Sequence, residues 1–466
     1  MRVGIYTFLA SILFVSISTR TATAESRWIN TTGGTLDWTN SANWSGAFPP
    51  GIGDDVRITN DQTVATTIIN AGRSNAVNNT ATINFLAISN GLSSTPITVI
   101  QSPTLNWISR FGVQLGKNAT LILTTNAQFG VDQNNTFDLR AGGQAGTLIL
   151  SNAAATSGFS TFLVRGAGGT TNAISNNGTI IFKPNNGQQV SMNYGQSSMF
   201  TNGTLGTVVM NGVGTGTFVG NFGSQNRPFI NNGSILVQAG TLRVDSRDAF
   251  SRGGFVNTAT GYMQVDTGGV FELRRTTNSW VNGATVTNFG NVFMNGGAIV
   301  ALDLDQSGLA LRTNVSRVVA NLGTIGGNGT IFASISSGTN SFLAPGGLGG
   351  PGLGTLNVAG NVTLGSNSTF VIELGLLPGQ NDLLAVSSNL TLNANSILAL
   401  SGGAFGNVYT VATAFAVSGT FGSVTPGYSV TYDANDVMVQ LIPEPSTLLL
   451  VAVGLAGIVV FRRRRA

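Results

Sequence analysis

The feature that most constrains this chain is a short asparagine-glycine motif that returns through its middle. It occurs as NNGTI at 176–180, TNGTL at 201–205, NNGSI at 231–235, NFGNV at 288–292 and NLGTI at 321–325. The glycines at 178, 203, 233, 290 and 323 are separated by 25, 30, 57 and 33 residues, so the third interval is near twice the others. Repeats of roughly 20 to 50 residues are typical of solenoids, in which each unit stacks on the next.

Each repeat unit predicts a turn followed by a short strand. Asn and Gly reach left-handed backbone conformations, so the motif is expected to turn the chain. Strands such as residues 179–182 and 234–237 follow it. Later strands alternate: one side of residues 370–374 carries Phe370, Ile372 and Leu374, and the other carries Val371 and Glu373.

The composition agrees with an all-β chain. Only 9% of the 466 residues are charged and 42% are hydrophobic, so a large core can form without a charged surface. No long stretch before the C-terminal tail shows a helical period with caps. We expect a right-handed parallel β-helix (a β-solenoid) with an inward apolar column and outward Asn, Ser and Thr. A Greek-key sandwich is the alternative, but its turns come at shorter intervals.

The N-terminus predicts a signal peptide followed by a cap. Residues 1–24 have a basic start at Arg2, an apolar stretch, and small residues Ala22 and Ala24 before a cleavage site. An uncleaved membrane anchor is the alternative. Residues 25–60 hold three of the five tryptophans, Trp28, Trp38 and Trp44. We expect them to cover the first repeat. A sugar-binding aromatic platform is the other interpretation.

The sequence pattern changes near residue 342, where a Gly/Pro-rich stretch precedes more regular strands. Residues 61–341 are interpreted as the solenoid and 342–440 as its continuation. The stretches GTIGGNGTI, GTLNVAGNVTLGSNSTFVIELG and NDLLAVSSNLTL resemble the repeats of autotransporter passenger domains over roughly residues 321–400. This resemblance implies a right-handed β-helix and carries no catalytic motif. Unlike in autotransporters, the stretches after these repeats are not expected to supply the strands of a β-barrel translocator.

Residues 442–466 combine three features in a fixed order. Pro443, Glu444 and Pro445 come first, an apolar run at 448–461 follows, and Arg462, Arg463, Arg464 and Arg465 come last. The order resembles the PEP-CTERM sorting signal of exopolysaccharide-producing Gram-negative bacteria. That resemblance implies recognition and processing by an exosortase, a membrane-embedded cysteine protease-transpeptidase. The proline and glutamate residues are then substrate features.

The apolar run predicts a single, short transmembrane helix at 448–461. Its 14 residues would span about 21 Å, whereas a bilayer core is about 30 Å thick. The arginine cluster is expected to stay cytoplasmic, which leaves the body outside the inner membrane. A helix this short suits a transient anchor. A buried helix of the fold is the disfavoured alternative.

The residue inventory argues against several kinds of chemistry. The chain has no cysteine and no histidine, so a Ser-His-Asp triad cannot form within it. When Arg2, Arg20 and the four tail arginines are left out, the chain has 16 basic and 18 acidic residues. The body is therefore nearly neutral, and no basic surface for nucleic acid is expected. Asp54 and Asp55 are adjacent and Asp303 and Asp305 share one side of a strand, but two aspartates are weak evidence for calcium, which takes about six to eight oxygens. The charged residues of the middle coils are interpreted as surface ion pairs rather than as a catalytic site: Arg243, Asp245, Arg247, Asp248, Glu272, Arg274 and Arg275.

These observations lead to one expected function and one rival. We expect a non-enzymatic structural or adhesive protein of the cell surface, extracellular matrix or biofilm, with no cofactor and no metal. It would be exported through the inner membrane, held there transiently and processed by an exosortase. Its other partner would be exopolysaccharide or a further matrix component. The rival is a polysaccharide lyase or hydrolase on the same parallel β-helix.

Overall fold

The structure is a computed structural model that describes residues 25–442, 453–456 and 458. Within 25–442 the gaps are 47–49, 51–53, 59–63, 71–79, 84, 90–94, 102–105, 110–112, 125–126, 132–136, 142–144, 153–158, 165–172, 195–198, 221–228, 247–253, 277–284, 305–317 and 348–351. The described part is a stack of parallel strands with three faces, and its helical residues are Ser41–Asn43 and the short stretch beyond 452. The predicted all-β parallel solenoid is confirmed, and the sandwich alternative is wrong. The hand of the coil stays a prediction.

The first face is a 15-stranded sheet in which every neighbour pair is parallel. Its strands, in stacking order, are β1 (Glu25–Arg27), β3 (Asp55–Ile58), β6 (Phe85–Ile88), β9 (Val113–Gly116), β12 (Phe137–Ala141), β15 (Ala173–Asn176), β18 (Met199–Asn202), β21 (Phe229–Asn231), β24 (Phe255–Asn257), β27 (Thr285–Asn288), β29 (Val318–Asn321), β31 (Ser334–Ser337), β34 (Val362–Leu364), β37 (Asn389–Leu392) and β40 (Ala416–Gly419).

The second face follows the first in each coil. Its strands are β2 (Gly34–Asp37), β4 (Thr66–Asn70), β7 (Ile97–Gln101), β10 (Ala119–Leu123), β13 (Thr147–Asn152), β16 (Thr179–Pro184), β19 (Thr207–Met210), β22 (Ser234–Val237), β25 (Tyr262–Asp266), β28 (Asn291–Leu304), β30 (Thr324–Phe332), β32 (Phe342–Pro345), β35 (Thr369–Leu374), β38 (Ile397–Gly402) and β41 (Ser423–Val424).

The third face joins the second because β28 and β30 continue from one to the other. Its other strands are β5 (Thr80–Ile83), β8 (Asn106–Ser109), β11 (Gln128–Val131), β14 (Phe159–Val164), β17 (Gln189–Tyr194), β20 (Thr215–Gly220), β23 (Gly240–Ser246), β26 (Gly269–Thr276), β33 (Thr355–Val358), β36 (Leu383–Val386), β39 (Val408–Thr413), β43 (Asp436–Leu441) and β42 (Tyr428–Tyr432). The last two strands are antiparallel, and they end this face at the C-terminal side.

The core is one apolar column enclosed by the three faces. Side chains alternate in and out along each strand, as the pattern at residues 370–374 predicts: Phe370, Ile372 and Leu374 are buried, while Val371 and Glu373 are half-buried. Phenylalanines stack from coil to coil, for example Phe200 on Phe229 with ring centroids 4.7 Å apart. Parallel in-register pairing places like residues above one another, so an apolar position repeated in sequence becomes a continuous column.

Three tryptophans are packed at the N-terminal end of this column. Trp28, Trp38 and Trp44 are at most 1% exposed and belong to the continuous core. The Trp44 ring centroid lies 5.0 Å from that of Trp28 and 4.7 Å from that of Trp38. The indole Nε1 of Trp44 donates to the carbonyl oxygen of Trp38 at 2.8 Å, so its polar atom is satisfied inside. Buried rings cannot serve as a sugar-binding platform.

The first asparagine of each repeat motif is buried and bonded to the coil above. We call this column the asparagine ladder: Asn176, Asn202, Asn231, Asn257, Asn288 and Asn321, all at 0% exposure. Each Nδ2 donates to the Oδ1 of the next member, at 2.7, 2.7, 2.7, 2.8 and 3.0 Å in order. The expectation that asparagines face outward is wrong at these positions. Asn257 occupies the coil that falls in the 57-residue interval.

The glycines of the motif have a different role from the one predicted. None of the five, at 178, 203, 233, 290 and 323, has a positive φ. They are needed for close approach instead: a Cβ on Gly233 would lie 2.2 Å from the carbonyl oxygens of Gly203 and Gly206. Any side chain there would push two coils apart, because stacked strands leave only about 4.8 Å between backbones.

The C-terminal coils form the same corner with serine. Ser341, Ser368 and Ser396 are fully buried, 27 and 28 residues apart. Each hydroxyl donates to a carbonyl three residues earlier in its own turn, at 2.7 to 2.8 Å. In two of these turns the residue before the serine is an asparagine with positive φ, Asn340 at 61° and Asn367 at 57°. Here the predicted left-handed turn residues do occur.

Candidate functional site

The sorting tail leaves the solenoid directly from its last strand. β43 ends at Leu441, and the amide of Ile442 donates to the carbonyl oxygen of Gly427 at 2.9 Å. Gly427 precedes β42, whose Tyr428 hydroxyl donates to the Gly402 carbonyl at 2.7 Å. The chain is therefore fixed at the C-terminal corner of the stack before residue 443.

Most of the predicted sorting and processing residues lie outside the described part of the chain. These are Ala22, Ala24, Pro443, Glu444, Pro445 and Arg462 to Arg465. Of the predicted helix at 448–461, Val453, Gly454, Leu455, Ala456 and Ile458 are described, and they are helical and exposed. No helix among the described residues has the length and apolar character needed to cross a membrane. The transmembrane helix and the signal peptide stay predictions.

The charged residues near the middle of the chain form a row on the outside of the third face. Arg243 of β23 and Glu272 of β26 are register partners, and the guanidinium donates two bonds to the carboxylate, Nε at 3.0 Å and Nη2 at 3.1 Å. Two residues along, Asp245 is in register with Arg274. The Arg243 and Glu272 side chains are 21% and 11% exposed, so this pair is more covered than the surface pair that the sequence predicts.

The row has limited catalytic potential. The bidentate Glu272 carboxylate engages two donors of the Arg243 guanidinium and fixes its direction, so this group is committed to an ion pair. Asp303 lies in register with Arg275 on the neighbouring strand, whereas Arg247, Asp248 and Asp305 lie outside the described residues. Among the described residues, no three acidic, histidine or cysteine side chains are grouped in a way that could hold a metal ion.

The acidic residues near the N-terminus are placed apart from this row. Asp54 accepts a bond from the Ser26 hydroxyl at 3.2 Å, and Asp55 begins β3. Glu25 pairs with Arg27 at 3.0 Å and with Arg57 at 2.8 Å at the edge of the stack. The side chains of the Glu25–Arg27 and Glu25–Arg57 pairs are 36% to 64% exposed, so these are surface ion pairs.

A buried carboxyl that the sequence reasoning missed lies in the C-terminal coils. Asp382 is 1% exposed, and its two oxygens accept the backbone amides of Gly354 and Glu373, both at 2.9 Å. Burial, opposed by these two bonds and assisted by the Glu373 charge, raises the pKa of Asp382 to about 6. The carboxyl ties the Gly/Pro-rich stretch to β35, which is a structural role.

A groove of about 520 Å³ crosses the outside of the second face. Glycines on and beside β30, β32 and β33 form part of its lining. Other lining residues supply amides, two hydroxyls and two aromatic rings: Tyr262, Asn291, Phe293, Asn295, Thr324 and Asn328. The Tyr262 hydroxyl donates to Gln264, whose amide donates to Asp266, both at 2.7 Å. No sequence pattern indicates this groove, because its residues come from different coils.

Comparison with known families gives one result, which covers the tail. The PEP-CTERM protein-sorting motif matches residues 441–465. No significant match to a curated protein was found. The match confirms the sorting signal, and the stacked parallel strands agree with the autotransporter-like repeat style. The chain thus carries an exosortase sorting signal, which indicates export and processing at the membrane in a Gram-negative bacterium.

Proposed function

We propose that this protein is a non-enzymatic structural or adhesive component of the cell surface, extracellular matrix or biofilm. The observation that carries the proposal is the position of the sorting motif, residues 441–465, directly after the last strand of a long stack. The exosortase would release the stack from its tail near Pro443 to Pro445. A regular solenoid is an extended scaffold, and repeat folds of this kind present long binding surfaces.

The sorting step is tested by changing the Pro-Glu-Pro triplet. Replacement of Pro443, Glu444 and Pro445 with alanine should leave the protein in the inner membrane, since the processing enzyme then lacks its recognition feature. Ser446→Ala is the matched control and should behave as wild type. Cell fractionation and surface labelling measure the distribution. Normal arrival of the triple variant at the surface would show that the motif does not direct sorting.

The proposed ligand is neutral exopolysaccharide, held in the groove on the second face. Amide and hydroxyl groups can hydrogen-bond to sugar hydroxyls, and an aromatic face can stack on the apolar face of a sugar ring. A volume of about 520 Å³ is in the range of small-molecule sites, which is roughly 300–1,000 Å³. Phe293 and Tyr262 are half-buried and fixed by strand neighbours, so they are already placed for contact.

The groove is tested with the polysaccharide secreted by the native organism. Phe293→Ala should weaken binding of the full chain about 2- to 12-fold, since one lost aromatic stacking contact is worth about 0.5–1.5 kcal/mol. Phe332→Ala removes a ring that is 49% exposed on an outer surface of β30 outside the groove lining, so it is the control. Equal binding by all three proteins in a pull-down titration would exclude this groove as the ligand site.

A polysaccharide-processing enzyme is the second candidate, supported by the row of Arg243, Asp245, Glu272 and Arg274, in which both carboxylates are buried. Incubation of the purified full chain with native exopolysaccharide, followed by size-exclusion analysis, distinguishes the two functions. The structural proposal expects no change in polymer length. Depolymerisation that is lost in Glu272→Gln would favour the enzyme.

A further inference from the structure

A cluster of exposed apolar side chains surrounds the point where the tail leaves the stack. We call this cluster the apolar corner: Leu376 (74% exposed), Leu377 (59%), Phe405 (63%), Val408 (50%) and Ile442 (44%). Single exposed hydrophobic residues are common on protein surfaces, but a group at one corner is a mark of an interaction site.

Backbone contacts show that these residues share one corner. β35 and β38 are parallel neighbours with Leu374 opposite Gly402, so the turns that follow them lie side by side. The Asn407 amide donates to the Leu376 carbonyl at 3.1 Å, which joins the two turns directly. Val408 is opposite Gln440 on β43, two residues before Ile442.

The turn that carries the two leucines is unusual for a surface loop. It reads Gly-Leu-Leu-Pro-Gly-Gln at 375–380, and its tip is made of a Pro-Gly pair. Turns of this kind are normally polar, because their backbone faces water. Here the hydroxyl of Tyr409 donates to the Gly375 carbonyl at 2.8 Å, so the base of the turn is held in place.

The length of the connection limits how far this corner can move from the membrane. Five residues, 443–447, separate Ile442 from the apolar run that begins at 448. Even fully extended, this connection reaches about 20 Å. Part of that distance is taken by the lipid headgroup layer, which is about 6 Å on each side of the hydrocarbon core.

We infer that the apolar corner lies in the lipid interface while the tail is inserted, which orients the stack on the membrane for processing. This inference rests on the proposed function, since it requires an inserted tail. The contact is apolar in character: the chain has no lysine or arginine between residues 318 and 461. Attraction to anionic lipid would need such basic residues near the surface.

The test uses site-specific labels, because the chain has no cysteine of its own. Phe405→Cys and Leu376→Cys are labelled with an environment-sensitive fluorophore in the full chain. The protein is reconstituted in phosphatidylcholine vesicles with acyl chains that carry nitroxide. Val213→Cys is the control: Val213 is 62% exposed, and its turn lies seven strand pairings from β39, about 34 Å along the stack. Gly454→Cys reports insertion of the tail.

The expected result is blue-shifted, nitroxide-quenched emission at 405, 376 and 454, and water-like emission at 213. Quenching should be unchanged when anionic lipid is added. If 454 is quenched and 405 is not, the tail inserts and the inference alone is wrong. If 454 is not quenched, the membrane-held state of the proposed function fails, and the inference fails with it. A blue shift at 405 without lipid quenching would place the corner against a second copy of the chain and overturn the lipid assignment.

Discussion

The middle coils and the C-terminal coils form the same corner of the stack with two different hydrogen-bonding arrangements. From Asn176 to Asn321 the buried polar group bonds to the next coil. From Ser341 to Ser396 it bonds within its own turn. At the register position of the ladder, the later coils carry leucine, since Ser337 is opposite Leu364 and Leu364 is opposite Leu392.

Because the later coils stack with leucine at this position, the comparison shows what the asparagine ladder contributes beyond stacking itself. Asn231 donates both to Asn257 and to the Tyr262 carbonyl, at 2.7 and 3.2 Å, so it links three elements of two coils. A one-residue slip would leave these amides unpaired inside the core, which costs about 1–3 kcal/mol each. The ladder therefore fixes the register of the middle coils, whereas the serine turns shape each coil separately.

The largest expected effect comes from a charge in the ladder. Asn231→Asp replaces a donor by an ionised oxygen that faces the Asn257 Oδ1 and the Tyr262 carbonyl. We expect a loss of about 3–5 kcal/mol, as for other uncompensated buried charges. Hydrogen exchange should show the loss as a fall in amide protection across β18, β21 and β24 together. Burial raises the pKa of such a carboxyl, so the loss should be smaller at pH 4 than at pH 7.

Asn232→Asp is the matched control for this prediction. Asn232 is the next residue, is half-buried, and accepts the Thr258 hydroxyl at 2.7 Å, a role that a carboxylate keeps. Its effect should stay below about 1 kcal/mol. Equal losses in the two variants would mean that the coupling between coils is not carried by the ladder.

The sequence predicts the repeats, the strand alternation and the parallel stack, because these depend on local patterns. Position 257 was missed because its coil reads Asn-Thr-Ala-Thr-Gly, with the glycine four residues after the asparagine instead of two. The burial of Asn231 beside half-buried Asn232 depends on contacts with residues 26 to 31 positions away. Asp382 and the groove also require groups from separate coils, so no single stretch of sequence indicates them.

The second prediction concerns pH. Among the residues that the structure describes, the turns of the C-terminal coils contain a buried titratable group, Asp382, and those of the middle coils do not. The folded-state pKa of Asp382 is raised from 3.8 to about 6. The contribution of Asp382 to stability is therefore full below about pH 4 and is lost as the pH rises through 6. The free energy of unfolding should therefore be about 2–3 kcal/mol lower at pH 7 than at pH 4. Protection of the amides of β33, β35 and β36 should fall over this range after correction for intrinsic exchange.

Asp382→Asn should remove this pH dependence, because an amide does not titrate, although one of the two backbone bonds is lost. Asp433→Asn is the control in the same region, since Asp433 is exposed. Peptides that cover the ladder are the internal reference. A pH dependence that persists in Asp382→Asn would assign the effect to another group.

The smallest effect distinguishes bonds within a turn from bonds between coils. Ser368→Ala removes the hydroxyl that donates to the Gly365 carbonyl at 2.8 Å, and the expected loss is about 1 kcal/mol. Ser366→Ala, a half-buried residue of the same turn, should change stability by less than about 0.5 kcal/mol. Hydrogen exchange should confine the Ser368→Ala effect to residues around 365–370. Spread of the effect to the turns at 338–341 and 393–396 would mean that the serine turns also couple neighbouring coils. The serine turns and the asparagine ladder would then differ in the strength of their coupling between coils, and not in whether their bonds act within a coil or between coils.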